Sequence, residues 1–103
     1  MSPDEADARI QKALAEARYV QEFVSKHYAE VVLAGEVVRL TNVQARIHVM
    51  IKSWREIAAE QRALALEWRT QGETLAWHAI RLDSRAEILE VQALLLESIL
   101  TTR

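Results

Sequence analysis

The fold of this chain is decided by residues 88–100, ILEVQALLLESIL, in which apolar residues fall on every side of a helix. A helix without a polar face needs cover from other helices or from lipid. Glu90 and Glu97 interrupt the stretch, which is shorter than the ~20 apolar residues that cross a bilayer. It therefore predicts the central helix of a helical bundle, with no membrane partner.

The composition favours a single all-α domain. The 103 residues are enough for one small hydrophobic core, and half of them are apolar. Two Gly and one Pro are too few for the many tight turns of an all-β fold. The absence of Cys excludes disulfides, a thiolate nucleophile and Cys-ligated metal sites.

The hydrophobic periodicity predicts three long helices, at about 3–34, 36–71 and 73–102. Ser2 and Glu5 have the spacing of a capping box around Pro3, which predicts the start of the first helix. Gly35 and Gly72 stand where a left-handed residue commonly ends a helix. Matched lengths and short connections predict an up-down-up three-helix bundle, with the whole chain as one domain.

Two sequences inside the predicted helices leave helix interruptions open. Thr41 to Gln44 and Ser84 to Glu87 each have capping-box spacing. A cap at Thr41 would turn residues 35–40 into a linker, although their apolar pattern continues that of the second helix.

The third helix carries two apolar stripes on roughly opposite sides. The first alternates large and small residues, as an interdigitating core does: Leu75, Ala79, Leu82, Ala86, Leu89, Ala93, Leu96 and Leu100. The second supplies the predicted interface residues Trp77, Ile80, Ile88, Val91, Leu95 and Ile99. A three-helix bundle covers one stripe, and a contiguous exposed apolar patch usually marks association. We therefore expect a homo-oligomer, most simply a dimer with a two-fold interface.

Four polar residues lie near the apolar stripes: His27, His48, Gln44 and Gln92. Two interpretations stay open, half-buried side chains with separate hydrogen bonds or a buried polar layer that fixes register. A neutral histidine is also a usual general base, but no Ser or Cys nucleophile and no orienting acid accompanies these two. No catalytic residue is predicted.

A three-histidine zinc site is not expected within one protomer. In an antiparallel bundle, His27 and His48 lie near the Gly35 end, whereas His78 lies ~25–30 Å away at 1.5 Å per residue. The Glu-x-x-His repeat of di-iron bundles does not occur in the sequence. No metal and no cofactor is predicted.

Basic residues repeat at seven-residue steps on the second helix, at Arg55, Arg62 and Arg69. Acidic residues are interspersed with them, at Glu56, Glu60 and Glu67. This alternation predicts a salt-bridge row better than a phosphate site. With a net charge of −2, it also argues against a nucleic-acid partner, which needs a concentrated basic surface.

The segment SPDEADARIQKALAEAR, residues 2–18, resembles the opening of computationally designed helical bundles through its capping, alanine filler and charge pairs. The resemblance implies an all-α bundle with coiled-coil-like packing. The remainder has few Lys, three His and three Trp, which indicates a diversified sequence or deliberately polar core positions.

The expected function is self-assembly through the second stripe of the third helix. One alternative is an engineered small-molecule binder or enzyme with a pocket near His27 and His48, and another is a module for a heteromeric partner. The acidic start at Asp4 and Glu5 argues against a secretory signal peptide, so we expect a soluble protein, cytoplasmic if it is a natural one, and leave its location otherwise open.

Overall fold

The computed structural model describes residues 2–27 and 38–101, with side chains from 43 to 100 in the second range. It consists of three helices, α1 (Pro3–Lys26), α2 (Val38–Arg69) and α3 (Glu73–Thr101), and no strand occurs in these ranges. The helices pack side by side, with α2 and α3 in the most extensive contact, and the molecule measures 55 × 20 × 18 Å. The predicted all-α three-helix bundle is confirmed.

The first helix starts as its sequence indicates. The Ser2 Oγ accepts a hydrogen bond from the Glu5 backbone N–H at 3.2 Å, and Pro3 occupies the first turn, where a missing N–H costs nothing. At the other end, the His27 N–H donates to the Phe23 carbonyl at 3.0 Å, so His27 caps α1 after Lys26. The predicted continuation to residue 34, and the role of Gly35, lie outside the described residues.

The turn between α2 and α3 is short, residues 70–72. Gly72 has a φ of 132°, which side-chain-bearing residues rarely adopt. Its carbonyl accepts the Ala76 N–H at 2.9 Å, so Gly72 both follows α2 and caps the start of α3.

Both later helices are continuous through the two internal capping sequences. α2 already begins at Val38, and it passes through Thr41 without a break. Ser84 lies inside α3, where its Oγ donates to the Ile80 carbonyl one turn earlier at 3.0 Å. Neither sequence starts a new helix, because the helical apolar pattern continues on both sides of it and favours one uninterrupted helix.

The buried side chains recur at alternating three- and four-residue steps in all three helices. They are Ala6, Ile10, Ala13, Ala17, Val20 and Val24 in α1, with Leu14 also buried beside Ala13; Ile47, Ile51, Trp54, Ala58, Gln61, Ala65 and Trp68 in α2; and Ala79, Leu82, Ala86, Leu89, Ala93, Leu96 and Leu100 in α3. This spacing keeps one face of each helix against a shared core. The first stripe of α3 is thus the buried one, with Leu75 partly buried at its start.

Ion pairs show the helix directions. Three pairs join α2 to α3, namely Arg55–Glu97, Arg62–Glu90 and Arg69–Asp83. Seven residues forward along α2 correspond to seven residues backward along α3, so these helices are antiparallel. The Arg9–Glu60 ion pair and the hydrogen bond that the Trp54 indole N–H donates to Glu16, each at 2.8 Å, show the same reversal between α1 and α2. α1 and α3 are therefore parallel, and the topology is up-down-up.

Candidate association surface

The outward side of α3 carries six large apolar side chains that the rest of the described protomer leaves 46–64% exposed. These residues, which we call the outer face of α3, are Trp77, Ile80, Ile88, Val91, Leu94 and Leu95. Five of them belong to the stripe that the sequence predicts as an interface. Leu94 was missed, although its position three residues after Val91 places it on the same side of the helix.

The other sides of α3 are occupied within the protomer. Asp83, Glu90 and Glu97 reach α2 through their ion pairs, and Arg85 pairs with Asp7 of α1. Because the buried stripe faces the core, only the outward side of α3 is left without a described contact to α1 or α2. On a helix in water this side is ordinarily polar, and here it is mainly apolar.

Ile99, the sixth residue of the predicted interface, lies elsewhere. It is partly buried and packs against the core. It stands three residues after the core residue Leu96 and four after the exposed Leu95, so spacing alone fits either stripe. The last residue of the predicted stripe, Ile99, therefore belongs to the edge of the core and not to the outer face.

The four residues of the predicted polar layer do not form a buried layer, because His48 is exposed. His27, Gln44 and Gln92 are half-buried. The His27 ring lies against Phe23, with centroids 4.6 Å apart. The Gln92 Oε1 is buried without a hydrogen-bond partner among the described residues.

Gln61 is a buried polar residue that the sequence interpretation left out of this layer. It is 1% exposed on the core face of α2, between Ala58 and Ala65, and its Oε1 has no partner in the described part of the chain. Its position in the same apolar stripe as Trp54 and Trp68 is the signal that could have identified it.

The salt-bridge row of α2 uses acids of α3 in place of the predicted neighbours on α2. Glu60 pairs with Arg9 of α1. The Arg55 guanidinium donates to a Glu97 carboxylate oxygen at 2.7 Å, and this hydrogen bond lowers the pKa of Glu97 below its usual range. It also raises the pKa of Arg55. The row therefore joins α2 to α3 through three ion pairs.

A shallow groove between α1 and α2 is one candidate for the pocket expected for a small molecule. Its lining residues are Tyr19, Val20, Phe23, Val43, Arg46, Ile47 and Met50. The volume of about 260 Å³ is below the ~300–1,000 Å³ of typical ligand sites, and neither His27 nor His48 lines the groove. The groove therefore does not favour the small-molecule alternative.

Two further properties bear on function. Within residues 2–27 and 38–101, no three His, Asp or Glu side chains cluster as a metal site requires. None of the three helices, over the same residues, is long and apolar enough to cross a membrane.

Comparisons with protein-family models, curated proteins and solved structures found no match. The function is inferred from the outer face of α3.

Proposed function

We propose that this protein functions by self-association, with two copies joined through the outer face of α3. The observation that carries the proposal is the concentration of six large apolar side chains on one side of one helix, including a Trp that is 64% exposed. Scattered exposed apolar residues are normal, whereas a contiguous patch usually marks an interface. Trp is also among the residues that most often dominate binding energy.

A second copy fits this face because a two-fold dimer uses the same surface twice, and self-complementary dimers are the commonest oligomers of soluble proteins. Homodimer interfaces are also more apolar than other protein interfaces. The heptad-spaced core of all three helices supports a related proposal, that the chain is a designed bundle of the kind that residues 2–18 resemble.

The expected strength of association follows from the exposed fractions. Full burial of such a side chain contributes ~1.5–3 kcal/mol, and about half of each one is already covered in the protomer. The remaining half contributes roughly 1 kcal/mol per residue, against several kcal/mol of lost translational and rotational freedom. We therefore expect a concentration-dependent equilibrium between monomer and dimer. One charged side chain in the middle of the outer face should abolish dimer formation.

Sedimentation velocity over a range of micromolar concentrations tests the proposal. The wild type should shift toward twice the 11.8 kDa mass of the chain, and Val91→Glu should remain a monomer with unchanged helix content. Val49→Glu is the matched control, because Val49 is 69% exposed on α2 and outside the outer face of α3. A wild type that stays at 11.8 kDa would overturn the proposal and favour a heteromeric partner. Equal effects of the two variants would show that another surface associates.

A further inference from the structure

We propose that the second copy packs over the groove between α1 and α3, so that α1 contributes part of the dimer interface through Gln21. This inference rests on the proposed self-association and adds the side of α3 on which the partner lies. It follows from the narrowness of the outer face of α3 and from the different surfaces that border this face toward α1 and toward α2.

The outer face of α3 is narrow for a stable interface. Its six apolar side chains lie along one helix, and an α-helix with its side chains is only about 10 Å wide. Stable interfaces of standard size use roughly 20–30 residues from each partner. A dimer of ordinary stability therefore needs further contact with a helix beside α3, which is either α1 or α2.

On the side toward α2, charged residues border the outer face. Three ion pairs run along this boundary, namely Arg55–Glu97, Arg62–Glu90 and Arg69–Asp83. The arginine side chains are 42–49% exposed, so water still solvates them. A partner lying over this side would remove that water from six charged side chains, which is costly even when the charges are paired.

Leu66 is a large apolar residue on this side of α2. It is 66% exposed, and it lies four residues after Arg62 and three before Arg69, a spacing that puts all three on the same side of the helix. A partner therefore reaches Leu66 only by also covering these two arginines. Burial of one apolar side chain is a small gain against that loss of hydration.

On the side toward α1, the outer face borders a shallow groove of about 490 Å³. Its lining residues are Gln21 of α1 and Glu87, Ile88, Val91, Gln92 and Leu95 of α3. Three of the six are apolar residues of the outer face, so the groove continues that face toward α1, and Glu87 alone among the six is charged. The Arg85–Asp7 ion pair lies outside the groove, since neither residue lines it.

Gln21 and Gln92 form the amide part of this groove. Gln21 stands fourteen residues after Asp7 and Gln92 seven after Arg85, so heptad spacing directs both toward the boundary that the Asp7–Arg85 pair marks. Both glutamines are half-buried and neither carries a charge. The Gln92 Oε1 is already buried without a partner among the described residues, so covering the groove removes no water from it. Desolvation therefore costs less on the α1 side.

Two charge insertions compare the two sides. Gln21→Glu adds a charge in the groove and should raise the dissociation constant roughly tenfold, whereas Leu66→Glu adds the same charge on the α2 side and should leave the constant within roughly threefold of the wild type. Sedimentation velocity over a range of micromolar concentrations measures both constants. Circular dichroism verifies that both variants keep the helix content of the wild type.

The outcomes separate this inference from self-association itself. A wild type that stays monomeric overturns both. If the wild type dimerises and Leu66→Glu weakens the dimer as much as Gln21→Glu or more, the partner covers α2 and the inference is wrong. If neither variant weakens the dimer, the contact is confined to α3 and the inference is wrong as well.

Thiol labelling gives a measurement that adds no charge, because the chain has no Cys of its own. In the single variants Gln21→Cys and Leu66→Cys, the labelling rate depends on the exposure of the thiol. When the protein is concentrated from monomer to dimer, the rate at position 21 should fall several-fold, and the rate at position 66 should stay constant. An unchanged rate at position 21, in a solution that sedimentation shows to be dimeric, would overturn the inference and leave self-association standing.

Discussion

The inner and outer faces of α3 are both apolar, and they differ in what covers them. Every core residue of the inner face, from Ala79 to Leu100, is at most 8% exposed, whereas the outer face is 46–64% exposed. The inner face alternates Ala with Leu, which lets α1 and α2 approach closely. The outer face has no Ala, and Ser84 is the small residue near its middle. The pattern of apolar residues thus indicates how many sides of a helix pack against another surface. The size of those residues indicates how closely that surface can approach the helix.

The largest expected effect comes from charging the inner face. Leu89 is 0% exposed, so Leu89→Glu buries a carboxylate without a partner and should lower the free energy of unfolding by about 4 kcal/mol or more. Loss of the helical circular dichroism signal at 25 °C would show it. Leu95→Glu, on the outer face, should keep the helix content and lose association. If Leu95→Glu unfolds the chain and Leu89→Glu does not, the assignment of the two faces is wrong.

A smaller effect is expected from making the core around the inner face fully apolar. Gln61 has a buried Oε1 without a partner among the described residues, and Leu has a similar volume without that polar atom. Gln61→Leu should therefore raise the free energy of unfolding by about 1–2 kcal/mol, measured by denaturant titration. Gln71→Leu, at an exposed position in the turn after α2, should change it little. A destabilised Gln61→Leu variant would mean that the amide makes a favourable interaction that the apolar side chain cannot replace.

The smallest expected effect concerns the ion pairs on the flank between these faces. The hydrogen bond from Arg55 lowers the folded-state pKa of Glu97, so its contribution to stability is complete above the unfolded value of ~4.3. The contribution is lost as the pH falls through the lower, folded pKa. Denaturation midpoints between pH 7 and 3 should show a slightly steeper loss for the wild type than for Glu97→Gln. Equal slopes would show that the pair does not stabilise the fold.

Heptad spacing predicts the fold because it is a local property of the chain. The steps of three and four residues through Leu82, Leu89 and Leu96 identify the inner stripe without knowledge of any neighbour. A second stripe containing Ile88 and Val91 follows from the same count, and both residues are exposed.

The edges of the stripes depend on neighbouring helices, so spacing alone cannot assign them. Ile99 fits either stripe of α3, and its packing against the core decides between them. His48 stands next to the core residue Ile47, and its exposure depends on where α1 and α3 lie.

The partners of the α2 arginines were misassigned for the same reason. Arg62 has acids on its own helix, and it also has Glu90 on α3, with which it pairs at 2.6 Å. The seven-residue spacing of the α3 acids matches that of the arginines. This match becomes informative only after the antiparallel alignment of α2 and α3 is known.

The three-residue turn at 70–72 has a consequence for how the chain folds. Loop-closure entropy grows with the length of chain between two contacting segments, and across this turn that length is minimal. The α2–α3 hairpin also has the most extensive packing in the molecule. We expect it to form first, as a nucleus of low contact order on which α1 condenses later. The outer face of α3 would then be formed before α1 packs onto the hairpin.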